Sequence, residues 1–223
     1  MDIETYRNLY AEPLDYATRK LEKLFPGKVS SRLKTAESIA EKLHRRNLDI
    51  TETTDIAGAR VIFTNVDSLF AGLTKIRNNF DVVQEENYIE KPKGNYRSYH
   101  LLVNVSGLPI EIQLKTNRQL EWGEIGHKEL PLYKSREELQ SLYGKNLKKL
   151  EKYYNRMSAH YYFSDIGQKL KRPKVPSIWK RLGLPMLNMN PVRDCPVCGY
   201  PNVVKVMEFR CEGCGEELIV RFK

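Results

Sequence analysis

The stretch Leu101–Thr116, "LLVNVSGLPIEIQLKT", decides the fold. Two runs alternate apolar and polar residues, and "SGLP" joins them, which predicts a β-hairpin. In the second run Ile110, Ile112 and Leu114 fall on one side of the strand. Glu111, Gln113 and Lys115 fall on the other. One face is thus a core face, and the opposite face lines up a carboxylate, an amide and an ammonium.

Just upstream lies "KPKGNYRSYHLLV", Lys91–Val103. It sets cations and aromatic rings at the mouth of the first strand. Lys91 and Lys93 can meet phosphates, and Tyr96 can stack on a nucleobase. His100, four after Tyr96, shares its face if both lie on the strand. Each of these residues also has a plainer reading as a solvated loop side chain.

Further upstream, "GARVIFTNV" reads as a β-branched strand with Asp55 just before it, and "VDSLFAGLTKIRNNF" as a helix. "SSRLKTAESIAEKLHRRN" reads as a helix opened by Ser30 or Ser31. On it Lys34, Ser38 and Lys42, spaced by four, share one face, and Arg32 points elsewhere from the opening turn. Taken alone, that face is more commonly just exposed and basic; the sharper reading is a phosphate grip. Residues 2–25 show helical spacing interrupted near Pro13. Two helices follow the hairpin, at roughly 118–130 and 135–163. Strands alternating with helices predict an α/β (α+β) fold with a mixed sheet under helical cover.

Asp55, at the end of one strand, and Glu111, on a second strand, can share one Mg²⁺, whose preference for oxygen and retained water suits polyphosphate chemistry. Individually each acid reads as surface. No G-x-x-x-x-G-K-[ST] and no kinase Gly-rich loop or H-R-D occurs, so phosphate chemistry here needs another scaffold.

The chain has 223 residues, 41% of them apolar, and a formal charge of +9. That charge favours a polyanionic partner, although a merely soluble cationic protein fits it too. No apolar run is long enough to cross a bilayer, and the acidic start "MDIETYRNLYAEPL" lacks a signal core, so a cytoplasmic protein with no membrane partner is expected. All four cysteines lie in the last 29 residues, as C-x2-C-x12-C-x2-C: Cys195, Cys198, Cys211 and Cys214. Four thiolates from two short turns, with Gly199 and Gly215 just after each pair, predict a closed, structural Zn²⁺ ribbon. Two disulfides are the competing reading, but nothing suggests an oxidising compartment. Between body and ribbon, residues 165–194 hold four prolines and seven Lys/Arg against two Asp. They read as a solvated connector or as an electrostatic contact with nucleic acid or with the body. The expected organisation is a body over 1–164, a basic proline-rich linker over 165–193 and a zinc ribbon over 194–223.

Four blocks together, "SRLKTAESIAEKL", "TDIAGARVIF", "KGNYRSYHLLV" and "IEIQLKTNRQLEWGEIGHKELPLYK", resemble the successive motifs of the RelA/SpoT alarmone synthetase domain, in its order, over roughly residues 25–135. The resemblance implies a mixed sheet flanked by helices, related to nucleotidyltransferases. It implies transfer of the β,γ-pyrophosphate of ATP to the 3′-hydroxyl of GDP or GTP, with AMP released. By that resemblance Asp55 is the Mg²⁺ ligand, and Glu111 is the second ligand or the proton acceptor. Arg32, Lys34, Ser38 and Lys42 hold ATP, with Arg32 against adenine, and Arg60 faces ATP. Tyr96 stacks on the acceptor base, His100, Gln113 and Lys115 line the acceptor pocket, and His127, Tyr133 and Lys134 form the closing H…YK element. Lys91 and Lys93 join the acceptor side as phosphate contacts.

The chain departs from the pattern in two places: Gly94-Asn95-Tyr96 where Asn-Gly-Tyr is common, and Gly126 where a Glu usually precedes the histidine. Its layout is also similar to that of small synthetases that act as toxins by pyrophosphorylating the 3′ CCA end of tRNA, some with a fused zinc-finger-like antitoxin segment. A third reading is a synthetase fold kept without turnover as an RNA- or ribosome-binding module. Homo-oligomers occur among the relatives, as do monomers.

Overall fold

The computed structural model describes residues 2–129, 134–168, 171, 173–174, 192–194, 201–203, 208–210 and 217–219, with only the backbone described for 124–129 and for the four stretches from 192 onward. The chain divides into two units.

The first unit is built on a mixed five-stranded sheet in the order β1-β2-β5-β4-β3. The strands are β1 (Val29–Leu33), β2 (Ala57–Phe63), β3 (Asp81–Asn87), β4 (Tyr99–Val105) and β5 (Leu108–Thr116). The hairpin expected from the sequence is β4–β5. Its register pairs Leu102 with Glu111 and His100 with Gln113. The turn is two residues, Ser106 and Gly107, both at positive φ (54° and 83°), which suits the right-handed twist of the strands. Ile110, Ile112 and Leu114 are fully buried.

Helices α1 (Ile3–Asn8), α2 (Ala11–Leu24), α3 (Ala36–Arg46) and α4 (Val66–Arg77) complete this unit. On α2, Leu14, Ala17 and Leu21 are buried, as are Leu69, Leu73 and Ile76 on α4. Phe25, just past α2, meets Phe63 of β2 edge to face at 5.4 Å. The break in the first helical stretch comes at Leu9 and Tyr10, and Pro13 sits inside the first turn of α2. There its missing N–H costs nothing, while its ring forbids a helical carbonyl four residues earlier, at Leu9.

Two expectations are corrected. Ser30 and Ser31 do not open a helix: Val29–Leu33 pairs antiparallel with Val61–Ala57 as an edge strand, and the helix begins after Thr35, whose Oγ1 accepts from the Ser38 amide. Arg32 is therefore a strand residue, and Lys34 lies at the strand–helix junction. The long C-terminal helix is also broken, into α6 (Arg136–Tyr143), a 3₁₀ turn (Gly144–Asn146) and α7 (Leu147–Asp165). Gly144, at φ 52°, ends α6.

The second unit gathers α5 (Asn117–Glu129), α6 and α7 around Trp122, Leu147, Leu150, Tyr154 and Met157, each at most 2% exposed. Trp122 lies 5.1 Å from the Tyr154 ring and 5.7 Å from Tyr161. Asp165 closes α7. Its buried carboxylate accepts from the Thr116 hydroxyl and, at 2.9 Å, from Arg118, tying the last turn of α7 to the start of α5.

Towards the C-terminus four short strands pair as β6 (Val192–Asp194) with β7 (Pro201–Val203) and β8 (Glu208–Arg210) with β9 (Glu217–Ile219). In sequence the cysteine pairs fall between the strands of each ladder. Cys195, Cys198, Cys211 and Cys214 lie outside the described residues, as does most of the basic linker. No helix among the described residues is long and apolar enough to cross a membrane.

Candidate active site

The open face of the sheet, opposite the core, carries the polar residues. Register sets them in rows: Arg32 beside Gly58, Ser30 beside Arg60, Leu102 beside Glu111, and His100 between Glu86 and Gln113. Because β-strand side chains alternate, the residues next in sequence to the core residues point to this face.

Asp55 stands at the entrance to β2. Its two oxygens are held by two lysines, Lys34 Nζ at 2.6 Å from Oδ2 and Lys42 Nζ at 2.5 Å from Oδ1. Lys34 arrives from the β1–α3 junction. There its amide donates to the Ile56 carbonyl at 2.9 Å, and its carbonyl accepts from Arg7 Nε at 2.6 Å. Lys42 comes from α3, one turn beyond Ser38. Ser38 Oγ accepts from the Thr35 hydroxyl at 3.2 Å. Burial alone would raise the Asp55 pKa, but the two ammonium groups overcome it and hold the carboxyl below its usual range. Burial pulls Lys34 below the usual lysine range, against the pull of Asp55.

Glu111 is the second carboxylate. Gln113 Nε2 donates to its Oε2 at 2.7 Å, and His100 Nδ1 lies 3.2 Å from Oε1. Burial raises its pKa, yet His100 and Gln113 bring it below the ordinary glutamate value, while the charge of Asp55 works the other way. Gly58 leaves the space beside Glu111 open: a Cβ there would lie 3.2 Å from the Glu111 carbonyl oxygen and 3.9 Å from Oε2.

Two clefts border Glu111. One is lined by Ser30, Arg32, Gly58, Arg60 and Gln113; the other by Thr54, Gln84, Glu86, His100 and Leu102. Lys115, 5% exposed, follows on β5, and Lys91 lies in an exposed turn after β3.

Thr54, Gln84 and Glu86 are absent from the sequence-derived set. So is Tyr88, whose ring meets His100 edge on at 5.3 Å and whose hydroxyl is pushed up to about 12 by burial and by its bond to Glu86. Gln84 and Glu86 lie on β3 and Tyr88 just after it, and "DVVQEEN" has too little apolar alternation to read as a strand. Only its pairing with β4 puts Glu86 opposite His100.

The remaining candidates belong to the second unit. Lys93 and Tyr96 close a tight turn through the Tyr96 amide and the Lys93 carbonyl, 3.1 Å apart, with Gly94 at φ 62°. Tyr96 thus precedes β4 and does not share a strand face with His100. The next residue, Arg97, lies 4.6 Å from the Tyr162 ring centroid and donates to Ser158 Oγ at 3.2 Å. His127 falls in α5, where only the backbone is described, Lys134 precedes α6, and Tyr133 lies outside the described residues.

The oxygen donors of Asp55 and Glu111 are of the kind a hard divalent cation such as Mg²⁺ takes, with water and substrate oxygens as its usual further ligands. Among the described residues no group of three or more His, Cys, Asp or Glu could hold a metal ion.

The region found in RelA/SpoT proteins matches residues 31–138. The chain is 32% identical over 115 residues to the GTP pyrophosphokinase YwaC of Bacillus subtilis, covering 44% of this chain and 55% of that protein. It is 32% identical over 112 residues to the GTP pyrophosphokinase rsh of Brucella abortus, covering 48% of this chain and 15% of that one. The chain thus spans about half the length of the first relative and far less of the second. Among solved structures it resembles small alarmone synthetase 1 of B. subtilis bound to its product pppGpp (26% identity, TM-score 0.55, 74% of this chain and 93% of that one). It also resembles small alarmone synthetase 2 of B. subtilis (25%, 0.61, 75% and 97%). Residues 31–138 of this chain thus match the region found in RelA/SpoT proteins, and its fold resembles that of the small alarmone synthetases.

Proposed function

We propose that the chain is a pyrophosphokinase: it moves the β,γ-pyrophosphate of ATP to the 3′-hydroxyl of GDP or GTP and releases AMP. One observation carries the reading. Lys34 and Lys42 close on the Asp55 carboxylate, and Glu111 borders both clefts, one of them lined by Arg32 and Arg60. The kinship with GTP pyrophosphokinases supports it.

Attack by the 3′-oxygen on the β-phosphorus breaks the bond from Pβ to the oxygen bridging Pα, and AMP leaves with that oxygen. Mg²⁺ held by Asp55 and Glu111 would neutralise polyphosphate charge. Arg32 and Arg60 line the donor cleft, and Lys34 and Lys42 hold phosphate oxygens. Glu111, ionised at neutral pH, orients the acceptor hydroxyl or takes its proton. His100 and Gln113 fix the Glu111 carboxylate. Tyr96 supplies a ring for the acceptor base, and Lys91, Lys93, Lys115, His127 and Lys134 belong to the acceptor side.

The charge of +9 and the basic residues before the tail favour a second acceptor, the 3′ end of tRNA. The four-cysteine tail would then hold Zn²⁺ and restrain the enzyme. The test is incubation of the full chain with Mg²⁺ and γ-labelled ATP plus GDP, GTP or deacylated tRNA. Label on guanine nucleotide is the expected result. Label on tRNA alone replaces the acceptor, and no AMP in any mixture leaves a binding module.

A further inference from the structure

Both oxygens of Asp55 are already taken. The two ammonium groups on them come from separate elements, and each lysine side chain is only 15% exposed. Lys34 is fixed at its backbone from both sides, by the Ile56 carbonyl and by Arg7. A divalent cation arriving alone would meet two positive charges at hydrogen-bond distance from the carboxylate it seeks. To displace them it would leave two half-buried ammonium groups facing each other without their counter-ion, and removing one partner of such a pair is strongly unfavourable. A polyphosphate changes this balance, because its oxygens give both lysines a new charge-assisted partner.

We infer that Lys34 and Lys42 act as an exchange lock: Asp55 gives them up to the phosphates of the donor and takes a divalent cation only in that exchange, so that cation and polyphosphate bind together and neither binds well alone. The inference rests on the reading of Asp55 as a metal ligand. It assigns the lysines a role the phosphate-grip reading does not contain, since they weaken metal binding whenever nucleotide is absent. Linkage makes the effect reciprocal: the factor by which the cation tightens nucleotide equals the factor by which nucleotide tightens the cation.

The test uses the full chain and Mn²⁺ as a spectroscopic substitute for Mg²⁺, read by loss of the free-ion paramagnetic resonance signal. Without nucleotide, Lys42→Gln and Lys34→Gln are each expected to bind Mn²⁺ about tenfold or more tightly than wild type, because one repelling charge is gone. Adding Asp55→Asn to either should abolish that gain, which locates the ion. Unchanged or weaker Mn²⁺ binding in a lysine variant that melts like wild type would overturn the inference. A second measurement needs no variant: equilibrium dialysis of α,β-methylene ATP against wild type should show about tenfold tighter retention with Mn²⁺ than with EDTA, and equal retention would overturn it. Neither readout involves an acceptor or turnover. AMP release with no gain in Mn²⁺ binding removes the lock and keeps the reaction; the gain with no AMP from any acceptor removes the reaction and keeps the lock.

Discussion

At the scale of single residues, the site works by charge held in place. Asp55 and Glu111 are both ionised at neutral pH despite burial, because each has donors of its own. Replacing Asp55 with Asn keeps the shape and removes the charge. The expected loss in rate is more than a hundredfold, above the ~3 kcal/mol typical of one electrostatic group, with a lower melting temperature because Lys34 and Lys42 lose their counter-ion. A comparable rate in Asp55→Asn would remove Asp55 from the chemistry. Gly58 makes a subtler case. A methyl group there would press on the Glu111 carbonyl at 3.2 Å, forcing β2 and β5 to give by a few tenths of an ångström. Gly58→Ala should destabilise by about 1–3 kcal/mol and weaken nucleotide binding in a dialysis assay. Wild-type values for both would show that the space beside Glu111 is not used.

At the scale of elements, two ties can be broken separately. Arg77 of α4 holds Glu85 of β3 with two donors, at 2.8 and 2.6 Å, and the Tyr99 hydroxyl of β4 adds a third at 2.6 Å. Arg77 holds the Glu85 pKa below its usual 4.5. A depressed carboxyl stabilises the fold above its unfolded pKa and loses that contribution as pH falls through the folded value. The urea midpoint of wild type should therefore fall on acidification below about pH 4.5. Glu85→Gln should lose ~1 kcal/mol at pH 7 and show a shallower acid slope; parallel profiles would refute the tie. In the other unit, Asp165→Ala would strand Arg118 and the Thr116 hydroxyl. The expected cost is about 3 kcal/mol, read as a lower denaturation midpoint, and an unchanged midpoint would show the clasp to be idle.

The same elements show what the sequence could and could not reveal. The β4–β5 hairpin was legible because Ile110, Ile112 and Leu114 alternate with Glu111 and Gln113 around a short turn. Strand β1 reads as a helix start in sequence because a run of serines before a helical pattern looks like a cap, and only pairing with Val61–Ala57 makes it a strand. Strand β3 was invisible because an edge strand with one solvated face needs few apolar residues, so Glu86 and Tyr88 were missed with it. Asp55, Glu111, Lys34 and Lys42 were legible through their motifs. That both lysines close on Asp55 was not, since it depends on a distance between the β1–α3 junction and the mouth of β2.

At the scale of the whole molecule, the family region ends near residue 138, while the folded body runs on through α7 to the buried Asp165. A truncation that asks what the tail does must therefore spare Asp165; ending the chain after Gln168 does so. If the four-cysteine tail restrains the enzyme, that shortened protein should arrest growth of its host where the full chain does not. Harmless expression of an active shortened form would remove the restraint. The claim on which everything else depends is that Asp55 and Glu111 direct cleavage of ATP between its α and β phosphorus atoms. The most direct measurement follows adenine-labelled ATP with GDP and Mg²⁺ in wild type, Asp55→Asn and Glu111→Gln. Wild type should release AMP in step with a pyrophosphorylated guanine nucleotide, and both variants should release on the order of a hundredfold less. ADP in place of AMP, or AMP release indifferent to both substitutions, would contradict it.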